Sequence, residues 1–118
     1  MVAIAKEKLG SAVVLIVAGA ENIPFESDFF DAVITTDTCY FWKDPCRVLK
    51  EINRVLNSGG IFVNSLNTMY AHSVKNNCKG DCASDTDKLI EYSEDASFEV
   101  FSKQKISRNE EQVVFVKR

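Results

Sequence analysis

Residues 31–66 read DAVITTDTCYFWKDPCRVLKEINRVLNSGGIFVNSL, and the way this stretch alternates decides the fold. It opens with DAVITT, Asp31 to Thr36, an apolar run with a charge at its start and small hydroxyls at its end. A run that is apolar on both faces is what a parallel strand needs when helices cover it on two sides. The helix that follows is plainly marked. Asp44 can cap it, Pro45 suits its first position, and Val48, Leu49, Ile52, Val55 and Leu56 form one apolar stripe. Lys50, Glu51, Asn53 and Arg54 occupy the other face. Asn57-Ser58-Gly59-Gly60 ends the helix, with a glycine available for a left-handed cap, and IFVNSL, Ile61 to Leu66, is the next strand.

Working outward, VVLIV from Val13 to Val17 is an earlier strand of the same kind, joined to Asp31 by a polar loop containing Pro24. Before it, VAIAKEKL from Val2 to Leu9 suits the end of a helix that Gly10 stops. On the other side, residues 67–85 are polar and poorly patterned and read as a long loop, a class of segment that is usually functional or mobile. Ser84 and Asp87 form a capping box for a short helix to about Asp95. The tail, FEVFSKQKIS, a turn at Arg108-Asn109-Glu110 and EQVVFVKR, is an antiparallel hairpin. This order predicts an α/β fold with a mainly parallel sheet in a single domain, residues 1–118.

Composition narrows the function classes. The chain is 46% hydrophobic and 26% charged with a net charge of −3, too apolar for a disordered segment. Lys and Arg are scattered without a basic stripe, which argues against nucleic acid as a partner. The longest apolar run, Ala12 to Ala18, is strand-sized and falls short of the roughly 20 residues that span a bilayer. Lys6, Glu7 and Lys8 interrupt the start, so no apolar signal region is expected there. Four cysteines without such a signal point to a reducing compartment, and the expected location is the cytoplasm.

Three pieces in series resemble a known family. AENIPFESDFFDAVITT, YFWKDP and RVLKEINRVLNSGG are similar to the acidic loop with Leu-Pro-Phe and Phe-Asp-x-Val, the aromatic turn after the fourth strand, and the E-x-x-R-V-L-K-P-G-G helix end of class I S-adenosylmethionine-dependent methyltransferases. Among these the stretch resembles type 11, the group related to ubiquinone and menaquinone biosynthesis enzymes. The resemblance implies a Rossmann-like sheet of strand order 3-2-1-4-5-7-6, of which this chain carries strands 3, 4, 5, 7 and 6. It implies S-adenosylmethionine as cofactor, a small-molecule methyl acceptor, and a cofactor site at the carboxyl ends of the strands. By resemblance, Gly19, Ala20 and Glu21 lie at the adenine edge, with the Ala20 backbone N–H facing a ring nitrogen. Thr36, Asp37 and Tyr40 lie near the methionine part and the acceptor, with Asp37 and Tyr40 in positioning roles.

The chain departs from the family pattern in three places. Gly19 stands where relatives carry an Asp that accepts from the adenine amine. Asp37-Thr38-Cys39-Tyr40 lacks the two prolines of the nucleic-acid amino-methylating enzymes. No G-x-G occurs anywhere, so the glycine turn and the ribose-binding carboxylate are not among these residues. The isolated chain is therefore expected to be incomplete or inactive as a methyltransferase. The alternative is a non-catalytic α/β remnant that self-associates or binds a partner chain through exposed strand edges, or pairs its first two strands directly.

Plainer roles stand beside these. Asp37 is also a turn-capping residue at a strand end, Phe41 and Trp42 suit core packing as well as a substrate wall, and Glu21, Glu26 and Asp28 suit a solvated loop. Cys78-x3-Cys82 with His72 lacks the ligand number and spacing of a zinc site, so no metal is expected. Cys39 has no His partner near it in sequence and is not expected to act as a nucleophile.

Overall fold

A twelve-residue strand, β2 (Leu56–Asn67), organises the sheet in a computed structural model that describes residues 14–67, 69 and 86–118. It is preceded by β1 (Phe30–Thr36) and followed by β3 (Phe98–Ser107) and β4 (Glu110–Lys117), in the spatial order β1-β2-β4-β3. β1 runs parallel to β2, with Ala32 opposite Ile61 and Thr36 opposite Ser65. β4 pairs antiparallel with both β2 and β3. This is the 4-5-7-6 portion of the expected order, and the α/β class holds.

Two helices lie on one face of the sheet. The first, α1 (Pro45–Val55), begins as its sequence dictates: Asp44 Oδ1 accepts from the Arg47 amide at 3.2 Å, and Pro45 supplies the first turn. Its stripe of Val48, Leu49, Ile52 and Val55 is buried against the sheet. The second, α2 (Thr86–Asp95), adds Leu89 to the same core. Below them Phe62, Phe98 and Phe115 cluster with ring centroids 5.3–5.9 Å apart. Burial of each such side chain contributes roughly 1.5–3 kcal/mol.

The helix end differs from expectation. α1 stops at Val55, and Leu56 is already extended (φ −82°, ψ 141°) as the first residue of β2. Asn57–Gly60 therefore form no helix cap but an irregularity in β2, since the register passes from Phe30↔Leu56 to Ala32↔Ile61. Gly59 takes φ +76°, and a Cβ on Gly60 would lie 2.8 Å from the Asn57 carbonyl oxygen. The glycines serve a crowded bulge, where backbone approaches backbone, rather than a helix terminus.

A second correction concerns residues 14–17, expected to be a strand. They carry no strand structure, and Val14 and Val17 are more than four-fifths exposed. A strand exists only where a neighbour takes its N–H and C=O groups, and among the described residues the sheet ends at β1. The direct pairing of this segment with β1 does not occur, so the described sheet has one parallel ladder and two antiparallel ones rather than being mainly parallel. On the face of the sheet away from α1, Ile34 is 70% and Ile61 39% exposed, so no described residues cover it there. The helix expected over Val2–Leu9 and the loop residues with Cys78, Cys82 and His72 lie outside the described residues.

Candidate functional site

The carboxyl end of β1 and the loop of residues 14–29 enclose an open cleft of about 330 Å³. Gly19 and Ala20 line it from the loop, Val33 and Thr35 from β1, and Thr38, Trp42 and Ile52 from beyond the strand and from α1. Period-two alternation explains the β1 contribution: Val33 and Thr35 turn toward α1, while Ile34 and Thr36 point to the bare face. The wall is mostly apolar, and Thr35 and Thr38 are the lining residues that carry side-chain oxygens.

The loop is held by α1. The Ile23 amide donates to Glu51 Oε2 at 2.6 Å, and Arg54 Nη2 donates to the Ile23 carbonyl at 2.9 Å, so one peptide unit is gripped at both polar ends. Arg54 also pairs with Glu51 at 2.5 Å and reaches the Ser27 hydroxyl at 3.3 Å. The Arg54 guanidinium holds the Glu51 carboxyl below the usual carboxylate range, burial opposes that shift, and the Ile23 amide adds to it. The foot of the loop is fixed separately: the Asp28 and Phe29 amides donate to the Arg54 and Val55 carbonyls at 2.9 and 2.8 Å. Lys117, from the far end of the chain, donates to Asp28 Oδ1 at 3.0 Å and to the Leu56 carbonyl at 2.6 Å.

Behind the cleft wall runs a short polar relay. The Thr35 hydroxyl donates to Asn64 Oδ1 at 2.5 Å, and Asn64 Nδ2 faces the Cys39 sulfur at 3.8 Å. Asn64 and Cys39 are buried to within 1% of completely. A buried amide must find partners for its donor and acceptor ends, and these two neighbours provide them.

Of the residues expected at the site, Gly19 and Ala20 line the cleft. Glu21 is half-buried beside them, its Oε2 3.3 Å from where a Cβ on Gly19 would lie. Thr36 and Asp37 form no part of the cleft wall. Asp37 sits at φ +52°, its amide donates to the Ser65 carbonyl at 2.9 Å, and its Oδ1 accepts from the Asn67 amide at 2.8 Å. It thus ties together the ends of β1 and β2. The Tyr40 backbone lies in a 3-10 turn, Cys39–Phe41, and its side chain lies outside the described residues. Trp42 serves as both cleft wall and core, whereas Phe41 is 63% exposed. Asp28 and Glu26 are exposed, and Asp28 pairs with Lys117. Thr35, Thr38 and the Glu51–Arg54 grip were not singled out from sequence, although the alternation of Val33 and Thr35 carried the signal for one of them. Among the described residues no group of three or more His, Cys, Asp or Glu side chains could hold a metal ion. No helix among them is long and apolar enough to cross a membrane.

The family model described as "Methyltransferase domain", type 11, matches residues 1–64, more than half of the 118-residue chain. The chain belongs to this class I methyltransferase family. Within it, one relative is a chloroplastic 2-methyl-6-phytyl-1,4-hydroquinone methyltransferase of Oryza sativa, 41% identical over 48% of this chain and 17% of the relative. The fold matches an S-adenosylmethionine-dependent methyltransferase from Thermotoga maritima with TM-score 0.76 at 21% identity, over 100% of this chain and 69% of that one. It also matches the complex between the Haloferax volcanii Trm112 methyltransferase activator and a methyltransferase, with TM-score 0.74 at 20% identity, covering 86% of this chain and 59% of that one. The methyltransferase-family chain therefore corresponds to a minor part of its curated relative and to about six-tenths to seven-tenths of these solved neighbours.

The volume of the cleft is at the small end of ligand pockets, which run from about 300 to 1,000 Å³, and Gly19 contributes backbone rather than side chain to its lining.

Proposed function

We propose that this chain contributes the adenine side of an S-adenosylmethionine-dependent methyltransferase acting on a small-molecule acceptor. The observation that carries this reading is the cleft between the Gly19–Ala20 loop and the carboxyl end of β1, where an open α/β sheet offers its ligand site. Gly19, Ala20 and Glu21 border the ring, and Thr36, Asp37 and Tyr40 at the strand end position the methionine portion and the acceptor. When bound, the cofactor supplies an electrophilic methyl on a sulfonium centre. The residues of this chain contribute alignment, which accounts for much of the acceleration in an in-line displacement. A second segment or partner chain bearing a glycine-rich turn and a ribose-binding carboxylate completes the site, since neither pattern occurs in this sequence. The existence of an activator complex in a structural neighbour is consistent with assembly of this kind. Four cysteines fit a reducing, cytoplasmic setting.

Titration of the chain with S-adenosylmethionine, followed calorimetrically, tests the reading. Micromolar binding with shifts at Ala20 and Thr35 supports it, and no heat up to millimolar ligand sinks it. The exposed Ile34 and the outer edge of β1 favour a second reading, a non-catalytic domain that works by association. Sedimentation separates that case: assembly that depends on concentration and is abolished by Ile34→Lys, together with absence of ligand heat, selects it.

A further inference from the structure

We infer that Asn64, which does not itself line the cleft, is a positioning residue that sets the spacing between two of the cleft's walls, by fastening β1 and the Cys39–Phe41 turn to one buried amide. The bearing of Asn64 on ligand binding rests on the proposed function, whereas the fastening itself does not.

Val33 and Thr35 supply one wall from β1, and Thr38 and Trp42 supply another from the segment that follows the strand. Between Thr38 and Trp42 the backbone closes on itself: the Phe41 amide donates to the Thr38 carbonyl at 3.0 Å and the Trp42 amide to the Cys39 carbonyl at 3.3 Å. Such bonds give a single turn its shape but do not place it against the sheet. Asp37 ties the start of the segment to the end of β2, and Asp44 caps α1 where the segment ends. Cys39 lies between these two points and is fully buried. Asn64, in β2, meets the Cys39 sulfur at 3.8 Å with one end of its amide and the Thr35 hydroxyl at 2.5 Å with the other. A hydroxyl and a thiol can each donate or accept, so both ends of the amide are served whichever way round it lies.

The choice of residue sharpens the case. β2 buries Phe62, Asn64 and Leu66 in alternation, and Asn64 is the polar member of that stripe. An amide gives up water on burial and costs free energy unless both ends find partners, whereas a leucine would fill the place without that demand. What the amide adds is direction, because a hydrogen bond weakens steeply with distance and angle while apolar packing tolerates sliding. Here the direction is spent on two cleft walls at once. Thr35 carries one, and the turn on Cys39 carries Thr38 and Trp42 on the other. The Tyr40 backbone rides on the same turn.

Trp42 is the chain's single tryptophan, so its fluorescence reports one of these walls directly. In Asn64→Leu its emission should move to the red and its quenching by acrylamide should rise at least about twofold. Exchange at the Phe41 and Trp42 amides should accelerate at least about tenfold, while amides of β2 and β4 keep their protection. Cys39→Ala should act likewise through the other end of the tie, and Cys39→Ser, which keeps a group able to donate or accept, should retain most of the protection. That pair decides the matter if Asn64→Leu does not fold. S-adenosylmethionine, titrated calorimetrically, should bind Asn64→Leu at least about fivefold more weakly than the unaltered chain. Unchanged Trp42 quenching and turn exchange in these variants, or acceleration spread evenly over the sheet, overturns the inference, because the amide would then only fill the core. Equal affinity of Asn64→Leu and the unaltered chain for the ligand overturns its bearing on binding. Absence of ligand heat from the unaltered chain overturns the proposed function instead, and the Trp42 and exchange readouts then decide on Asn64 alone.

Discussion

Arg54 and Ile23 lie 31 residues apart, yet the guanidinium of one donates to the carbonyl of the other at 2.9 Å while Glu51 accepts from the Ile23 amide at 2.6 Å. One helix face thereby fixes a peptide unit of the cleft loop in both directions. Removing either side chain leaves the core packing of α1 untouched, because Glu51 and Arg54 sit outside its buried stripe. The expected effect is local. In Arg54→Met, hydrogen exchange at Ile23 and its loop neighbours should accelerate at least about tenfold, while amides of β2 and β4 keep their protection. Arg54→Lys, which cannot reach Glu51, Ser27 and Ile23 together, should restore only part of the protection.

Acid should loosen the same grip. The Glu51 carboxyl is held below its ordinary value of 4.5 in the folded chain, first by Arg54. A depressed folded value means that the stabilisation is complete above the unfolded value and drains away as pH falls through the folded one. Urea midpoints measured from pH 7 down to pH 3 should therefore decline below about pH 4.5. Glu51→Gln should start lower at pH 7 and show a shallower acid decline. An identical acid slope in both proteins would remove Glu51 as the cause.

Gly59 and Gly60 should respond differently to alanine. At Gly59 the cost is conformational, about 1 kcal/mol for a left-handed φ with open space around the new methyl. At Gly60 the methyl would meet the Asn57 carbonyl at 2.8 Å and the Asp31 carbonyl at 3.2 Å, so backbone must shift. Gly60→Ala is expected to destabilise by at least about 2 kcal/mol, since overpacking costs about 1–3 kcal/mol even where side chains can yield. Equilibrium urea unfolding of the two variants checks the order.

Phe115→Ala removes the ring that stacks on Phe62 at 5.3 Å and tilts against Phe98 at 5.9 Å. Loss of about 3–5 kcal/mol is expected for a fully buried aromatic, enough to unfold a domain of this size in part at ambient temperature. Circular dichroism against urea reads it directly.

Much of this molecule was legible in the sequence, and the reason differs by element. α1 announced itself because Asp44, Pro45 and the Val48–Val55 stripe are local signals that tertiary packing reinforces. The hairpin at Arg108–Asn109 was equally plain, with β3 and β4 on either side of it. Residues 14–17 misled because their apolar pattern records what a strand would bury, and whether a strand forms depends on a neighbour that pattern cannot report. The helix end misled for a related reason: the two glycines were visible, but their crowding against Asp31 arises only once β1 lies beside β2. At the site, the loop residues Gly19 and Ala20 were found through family likeness. Thr35, Asn64 and the Glu51–Arg54 grip were passed over, because a hydrogen-bond relay joins positions 29 apart in the chain and leaves no spacing to read.

Lys117 carries a consequence for how the chain comes into being. It fastens Asp28 across a span of 89 residues and takes the Leu56 carbonyl as well. At synthesis rates of about 5–20 residues per second, the cleft loop waits several seconds for a fastener made 89 residues later. A nascent chain halted short of that lysine lacks this tie, so the loop of residues 14–29 should gain its full protection from exchange only once Lys117 has been made.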